Sequence, residues 1–510
     1  MSAAHTLHGL ARPRCRTALA MVLLLPLAMP LTGAAAGTPA KSAWDDLRQA
    51  AELGGLEITA RSIEMDGEAM ILHSVTVTPI HGPADSSFAL ADLRIDPQDD
   101  GRVALRPAAE GMLTLAGPRD RQQQIRTHHD GAFMLLHEGT EAARDIALTL
   151  EFAELGFEPL PTDDGAPIAD TVFGATLAGV AGDLNLSLAE EINTSGALSV
   201  DTLTYSLQEE RQFPFRQRQQ THASATEVEM TFDMQRLDFF AQEPLPPLSE
   251  MIEGGLRAGL TLQAAASASR MLQQSPLLSM ALDATSGPST LTVEAGDGLL
   301  AMVTDGLDMA ISGSIGDMPL NISGDSIAFS LSLPVVPSDT PGRFETSLTL
   351  TGIALTPDML SALDAPSLIG ETAEFQITAS AAARWRHDPT APDAPLDEEP
   401  LDLSALVLDR LMLRLAQARL EGEGGLALDP EMPFLPDGNA NGTGTFIFEL
   451  EGGDALLQVL AGDGTLAEDE LFLARMMMNM LGRSVGPDRL RSEIEIAPGS
   501  LLINGLPLPF

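Results

Sequence analysis

Apolar residues alternate with small, polar or acidic ones along most of the chain. Ile146, Leu148, Leu150 and Phe152 have one parity and Ala147, Thr149 and Glu151 the other, and a period of two puts each set on one face of a β-strand. The same pattern returns at Leu184/Leu186/Leu188, Val228/Met230/Phe232/Met234, Ile327/Phe329/Leu331/Leu333 and Phe446/Phe448/Leu450. Between such runs, Asp66-Gly67, Asp100-Gly101, Asp130-Gly131, Asp297-Gly298, Asp305-Gly306 and Asn504-Gly505 predict tight hairpins, because Gly accepts positive φ without a steric penalty. The expected fold class is therefore mainly β. Twisted antiparallel sheets cover a core on one face and meet water on the other, with a few short helices.

The helices are predicted from their ends. Ser42 suits an N-cap ahead of Trp44, Leu47 and Ala51, with Asp45 in the capping-box position and Gly54-Gly55 as the stop. Thr356-Pro357-Asp358 opens a short helix over Met359 to Leu363, and a helical segment runs from Leu248 to Gly254. The clearest helical pattern starts at Thr465, has Glu468 three residues on, and reaches about Gly482. Proline-rich acidic stretches at Glu243 to Leu248 and His387 to Pro400 read as linkers or long surface loops. The first suggests a division into two β-rich lobes, residues 37–247 and 248–510, the second carrying the C-terminal helix. There is no tight sequence repeat.

The first 36 residues follow a different pattern. Arg12, Arg14 and Arg16 precede an uncharged apolar run from Ala18 to Leu31 and then Ala34-Ala35-Ala36. That is the layout of a secretory signal peptide. Pro26 and Pro30 interrupt the run, which falls short of the ~20 residues a membrane helix needs. The expectation is an exported, periplasmic protein cleaved after Ala36 or Ala40, with no transmembrane segment thereafter. Its one cysteine, Cys15, precedes the apolar run, so it serves neither as a lipoprotein acceptor nor in a disulfide.

Charge narrows the partners. The chain holds 29 Lys and Arg against 72 Asp and Glu, a formal charge of -43. Loss of the signal peptide would make that more negative. Such a surface repels phosphate backbones, and with aromatic content at 4% there is little for bases to stack on. Nucleic acid is not an expected partner.

Catalytic and metal signatures are weak. Asp437-Gly438-Asn439-Ala440-Asn441-Gly442 matches the first half of a calcium loop, but Phe448 stands where a bidentate Glu belongs. A polar hairpin loop explains it better. His128-His129 and His137 match no known zinc spacing. There is no Gly-x-Ser-x-Gly elbow, mature cysteine or phosphate-binding loop. No cofactor and no enzyme activity are expected, although a carboxylate pair of glycosidase type could hide among so many acids. The helix from Thr465 carries Phe472, Leu473, Met476, Met477, Met480 and Leu481. This broad apolar face suits covering a sheet, or adapting to an apolar ligand or partner, since methionine is flexible and polarizable. The terminal Phe510 suggests an outer-membrane barrel signal, but Pro507 and Pro509 interrupt strand pairing there.

The Ala43-Trp44-Asp45-Asp46-Leu47 helix, Gly54-Gly55 and the turn at Met65-Asp66-Gly67 resemble the start of the domain of unknown function 2125 family, exported proteins of Gram-negative bacteria. The likeness continues through Asp201-Thr202-Leu203-Thr204-Tyr205, Thr356-Pro357-Asp358-Met359-Leu360 with Leu363-Asp364-Ala365-Pro366, Pro487-Asp488-Arg489-Leu490, Glu493-Ile494-Glu495-Ile496 and Asn504-Gly505. It covers most of the chain after residue 36 and implies an envelope location without assigning an activity. Leu420-Glu421-Gly422-Glu423-Gly424-Gly425-Leu426 also resembles the strand-Gly-strand style of AsmA-like envelope proteins, whose β-rich grooves are associated with lipids. The leading expectation is a non-enzymatic envelope factor that binds a lipid or other apolar ligand in a β-rich groove. The alternatives are an acidic scaffold acting through an envelope protein partner and a carboxylate-based hydrolase.

Overall fold

The computed structural model describes residues 39–80, 86–116, 122–140, 143–160, 171–188, 192–211, 217–242, 245–276, 279–316, 318–362, 365–391, 401–429, 442–462, 464, 466–498 and 500–507. The signal-peptide pattern, the calcium-like residues Asp437 to Asn441, Thr465 and Phe510 lie outside these residues. The fold is mainly β, built from antiparallel strands with five short helices among the described residues. Backbone proximity divides the chain into two compact units. One is Met1–Ala281 with Glu294–Asp297 and Thr390–Pro392; the other is Leu282–Val293 with Gly298–Pro389 and Asp393–Phe510.

The N-terminal unit opens with helix α1 (Pro39–Leu53). This helix begins three residues before Ser42, at a proline whose fixed φ suits the first helical turn. Strands β1 (Leu56–Asp66), β2 (Ala69–Pro79), β3 (Ser87–Pro97), β4 (Val103–Pro107), β5 (Glu110–Ala116), β6 (Gln122–His129) and β7 (Ala132–Thr140) follow. Then come the longer β8 (Ala143–Pro159), β9 (Thr171–Leu188), β10 (Ile192–Arg211) and β11 (Gln217–Gln235), a 3₁₀ turn at Leu237–Ala241, helix α2 (Leu248–Glu253), β12 (Arg257–Ala264) and β13 (Ala266–Gln274). The apolar face of α1 supplies Ala40, Ala43, Trp44, Leu47 and Ala51 to a core that collects side chains from β1–β4, β8 and β9, including Leu72, Ile95, Leu105, Leu148 and Leu186. Phe133, Ile192, Phe232 and Met234 pack against it from β7, β10 and β11. The sheet therefore wraps its apolar face around one helix, which accounts for the concentration of fully buried residues here.

Strict alternation fails along a line across this sheet. Apolar positions step by three at Leu72/Val75, Leu90/Leu93, Phe152/Leu155, Leu177/Val180 and Val200/Leu203, yet both members of each pair belong to the unit's apolar clusters. Left-handed residues sit on this line: Ser74 at φ 52, Gly179 at φ 62 and Glu227 at φ 49. At each, one residue on either strand goes unpaired while the register is kept, Ala60↔Val75 being followed by Ser62↔His73 and Val200↔Val228 by Thr202↔Thr226, so neighbouring strands turn over together and the apolar side stays on the core. Gly179 has a second reason to be glycine. A Cβ there would lie 2.0 Å from Asp201 Oδ2.

This geometry also changes two expected turns. Asp130-Gly131 does not close a β6–β7 hairpin; β6 and β7 pair one after the other along β8, and Asp130 Oδ1 accepts the Glu154 N–H at 3.0 Å. Asp305-Gly306 lies within a strand, with Gly306 opposite Ile327. Asn504-Gly505, in contrast, forms a two-residue turn with both residues at positive φ, 51 and 78.

Two strands, β14 (Ser279–Ser286) and β15 (Ser289–Gly296), carry residues of both units. The C-terminal unit continues with β16 (Leu299–Ile315), β17 (Met318–Pro334), β18 (Gly342–Leu355), helix α3 (Pro357–Ala362), β19 (Ala373–Trp385), β20 (Leu401–Leu415), β21 (Ala418–Leu428) and β22 (Gly442–Glu451). It ends with α4 (Gly453–Gly462), α5 (Glu468–Leu481), β23 (Arg483–Gly486), β24 (Arg489–Ala497), β25 (Ser500–Ile503) and β26 (Leu506–Pro507). Strands β16 to β22 and then β24 pair antiparallel in sequence order. Helix α3 starts directly at Pro357; the Thr356 hydroxyl has no hydrogen-bond partner among the described residues, so it does not cap. No described helix is long and apolar enough to cross a membrane.

Candidate functional site

Residues paired across antiparallel strands share a face, so the register of the C-terminal unit can be read as rows. One row runs Phe329, Leu348, Ile377, Leu411, Gly422, Phe448. The next runs Ile327, Leu350, Phe375, Leu413, Leu420, Leu450, Leu490. A third joins Leu331, Thr346, Ala379, Leu408, Gly424, Phe446 and Ile494. Strand β20 keeps its leucines on this side by bulging. Leu403, Leu406, Leu408, Leu411 and Leu413 are spaced by three, two, three and two, with register shifts against β19 at Ala382/Ala383 and Thr378/Ala379.

The result is an apolar sheet face that spans seven strands. At ~4.8 Å between strands it extends roughly 30 Å across them. Gly422 is the one buried residue in these three rows, every other member keeps some exposure, and Leu413 is 42% exposed. Gly422 and Gly424 lie under aromatic rings: a Cβ at Gly422 would sit 2.5 Å from Phe448, and one at Gly424 would sit 2.7 Å from the Phe446 ring. The rings therefore lie low over β21. The opposite face is polar, with hydroxyl pairs Ser330–Ser347 and Ser326–Thr351 at 2.6 Å and Arg489 and Arg491 on Glu449.

Each end of the apolar face is marked. At one end Trp385 meets Phe344 edge-on, with ring centroids 5.6 Å apart, and its Nε1–H donates to the Pro334 carbonyl at 2.6 Å. At the other end α4 and α5 close over Leu450 and Leu490: Gly453 lies against Leu450 and Met478, and Gly482 against Leu490. The Asp488 carboxylate accepts from the N–H groups of Asp454 and Ala455, capping α4. Arg475 of α5 pairs with Asp454 at 2.5 Å and, together with Gln458, holds that carboxyl below its ordinary pKa.

All five sequence-predicted site residues lie on α5 and face solvent. Phe472 is 70% exposed, Met480 62%, Met476 52%, Leu473 49% and Met477 47%. The side of α5 turned inward consists of Leu471, Ala474, Arg475 and Met478. Thus the broad apolar face does not cover the sheet, and the smaller inward stripe does the packing. The helix is capped from within, since Glu470 accepts the Ala467 N–H at 2.9 Å.

His128 and His129 form no metal centre among the described residues, and the His137 side chain lies outside them. His128 contacts Glu154 at 2.9 Å, and His129 donates from Nε2 to the Ala108 carbonyl, with burial lowering its pKa. No group of three or more His, Cys, Asp or Glu suited to a metal occurs among the described residues. Sequence reading overlooked His73, which β-register places between Asp92 at 2.6 Å and Glu64 at 3.3 Å. Hydrogen bonds to these carboxylates raise its pKa, Asp92 contributing most. The side chain is partly exposed. The N-terminal unit also has an open depression lined by Ser74, Leu90, Glu110, Met112 and Arg126.

No protein-family model matches the sequence, and no curated protein or solved structure matches it.

Proposed function

We propose that the protein is an exported, periplasmic envelope factor that works without catalysis and holds an apolar chain, a lipid acyl tail, against the open face of its C-terminal sheet. The observation that carries this reading is that face: rows made mainly of aliphatic and aromatic residues on one side, hydroxyl and charged groups on the other, with every side chain of those rows partly exposed. Apolar surface of this extent is unfavourable in water by ~25 cal/mol per Å². A flexible hydrocarbon laid across the strands removes that penalty without needing any directional polar contact. The export-signal layout and the family likenesses support the envelope location.

Trp385 provides the test. The chain has two tryptophans, and Trp44→Phe leaves Trp385 alone at one end of the apolar face. Titration with a brominated fatty acid should quench its fluorescence saturably. Quenching that rises only linearly, as for collisions in solution, contradicts the reading.

A second reading, a scaffold that acts through an envelope protein, is favoured by the solvent-facing apolar side of α5. In-cell crosslinking that captures one reproducible protein and no lipid supports it over the first.

A further inference from the structure

The exposed side of α5 has a symmetry of its own. Its apolar residues are Phe472, Leu473, Met476, Met477, Met480 and Leu481, spaced one, three, one, three, one. At ~100° per residue they occupy about half the helix circumference, opposite Leu471, Ala474 and Met478. The spacing reads the same in both directions, with its centre between Met476 and Met477. Charge follows the same plan. Glu468, Asp469 and Glu470 are exposed at the N-terminal end and Arg483 just past the C-terminal end, and none of these four has an ion pair among the described residues.

We infer that this face binds a second copy of the same chain, with the two α5 helices antiparallel about a two-fold axis between Met476 and Met477. That arrangement puts Phe472 opposite Leu481, Leu473 opposite Met480, Met476 opposite Met477, and Glu470 opposite Arg483 of the other copy. A two-fold contact requires a self-complementary surface, which a palindromic apolar stripe with opposite charges at its ends supplies. A parallel pairing would instead set the two acidic ends together. The exposed fractions leave roughly 600 Å² of apolar side chain per copy, so the pair would cover about 1,200 Å², at the lower edge of specific interfaces. Helix α5 is held for this role by the Arg475–Asp454 bridge on its inner side. The high net negative charge opposes association at low ionic strength, which keeps the dimer weak and makes added salt strengthen it. This inference goes beyond the lipid reading and does not depend on it.

Sedimentation velocity of the purified protein over about 1 to 100 µM should show a monomer–dimer equilibrium that Phe472→Glu/Met476→Glu abolishes. Both positions are exposed, and circular dichroism checks that the fold is kept. Arg483→Glu should weaken the dimer about fivefold. In a Cys15→Ser background, copper–phenanthroline oxidation should crosslink Met476→Cys, which lies at the axis, far faster than Phe472→Cys. The two copies of residue 472 would be offset by about nine residues, roughly 13 Å along the helix. A monomer at every concentration, a dimer that survives the double Glu variant, or equal crosslinking at both positions overturns the proposal.

Discussion

Leu413 and Leu72 should respond very differently to the same substitution. Leu72 is 0% exposed in the core around α1, whereas Leu413 is 42% exposed on the open face of the C-terminal sheet. Leu72→Ala leaves a closed cavity, so both lost transfer energy and lost contacts count, about 3–5 kcal/mol. Leu413→Ala forfeits only the part of the side chain already covered, and water fills the space, so the loss is about 1 kcal/mol. A bound acyl chain would cover the remainder. Removing that contact should cost about another 1 kcal/mol of binding, or roughly fivefold in Kd. The assay is urea unfolding followed by Trp44 for the first variant and by Trp385 for the second, each as the sole tryptophan, together with brominated fatty acid titration. A loss of 3 kcal/mol or more at Leu413 would mean that the face is covered. An unchanged Kd would mean that the ligand lies elsewhere.

Three other outcomes are expected. Gly179→Ala should destabilise the N-terminal unit by about 1–3 kcal/mol, because φ 62 and the nearby Asp201 carboxylate both exclude a Cβ; a thermal melt equal to wild type contradicts the bend-line account. Asp488→Gly tolerates the left-handed backbone at that position, φ 46, yet removes the α4 cap. It should lower stability by about 1 kcal/mol and speed amide exchange at Asp454 and Ala455. For His73, the raised pKa means that its contribution to stability is complete below the ordinary value of 6.5 and is lost as pH rises through the folded-state pKa. NMR titration should show a midpoint above 6.5 that Asp92→Asn lowers, and an unmoved midpoint would refute the pairing.

Much of the sheet was legible because its signal is local. Ile146 to Phe152 alternate as written, and all four are buried in β8; Asn504-Gly505 turns where glycine chemistry requires. The bend line was not legible, since Ser74 and Glu227 are ordinary strand residues by composition and take left-handed φ only because their neighbours across the sheet require it. Asp305-Gly306 has local turn chemistry, and only its pairing with Ala328 and Ile327 keeps it within a strand. Helix α4 went unrecognised because its cap, Asp488, lies 34 residues downstream of Asp454. The apolar pattern of α5 was plain, but periodicity alone does not say which side faces protein, and the inward stripe of Leu471, Ala474 and Met478 proved the narrower one. The apolar sheet face emerges only when the register aligns seven strands, none of which is unusual alone.

The most direct test of the lipid-binding account is native mass spectrometry of the protein purified from the periplasm of its own source, with lipid analysis of whatever denaturation releases. The account predicts a stoichiometric apolar ligand whose occupancy falls in a Leu411→Asp/Phe448→Ser variant and survives Phe472→Glu/Met476→Glu. A bare protein mass, or a ligand retained after the sheet-face substitutions, would contradict it.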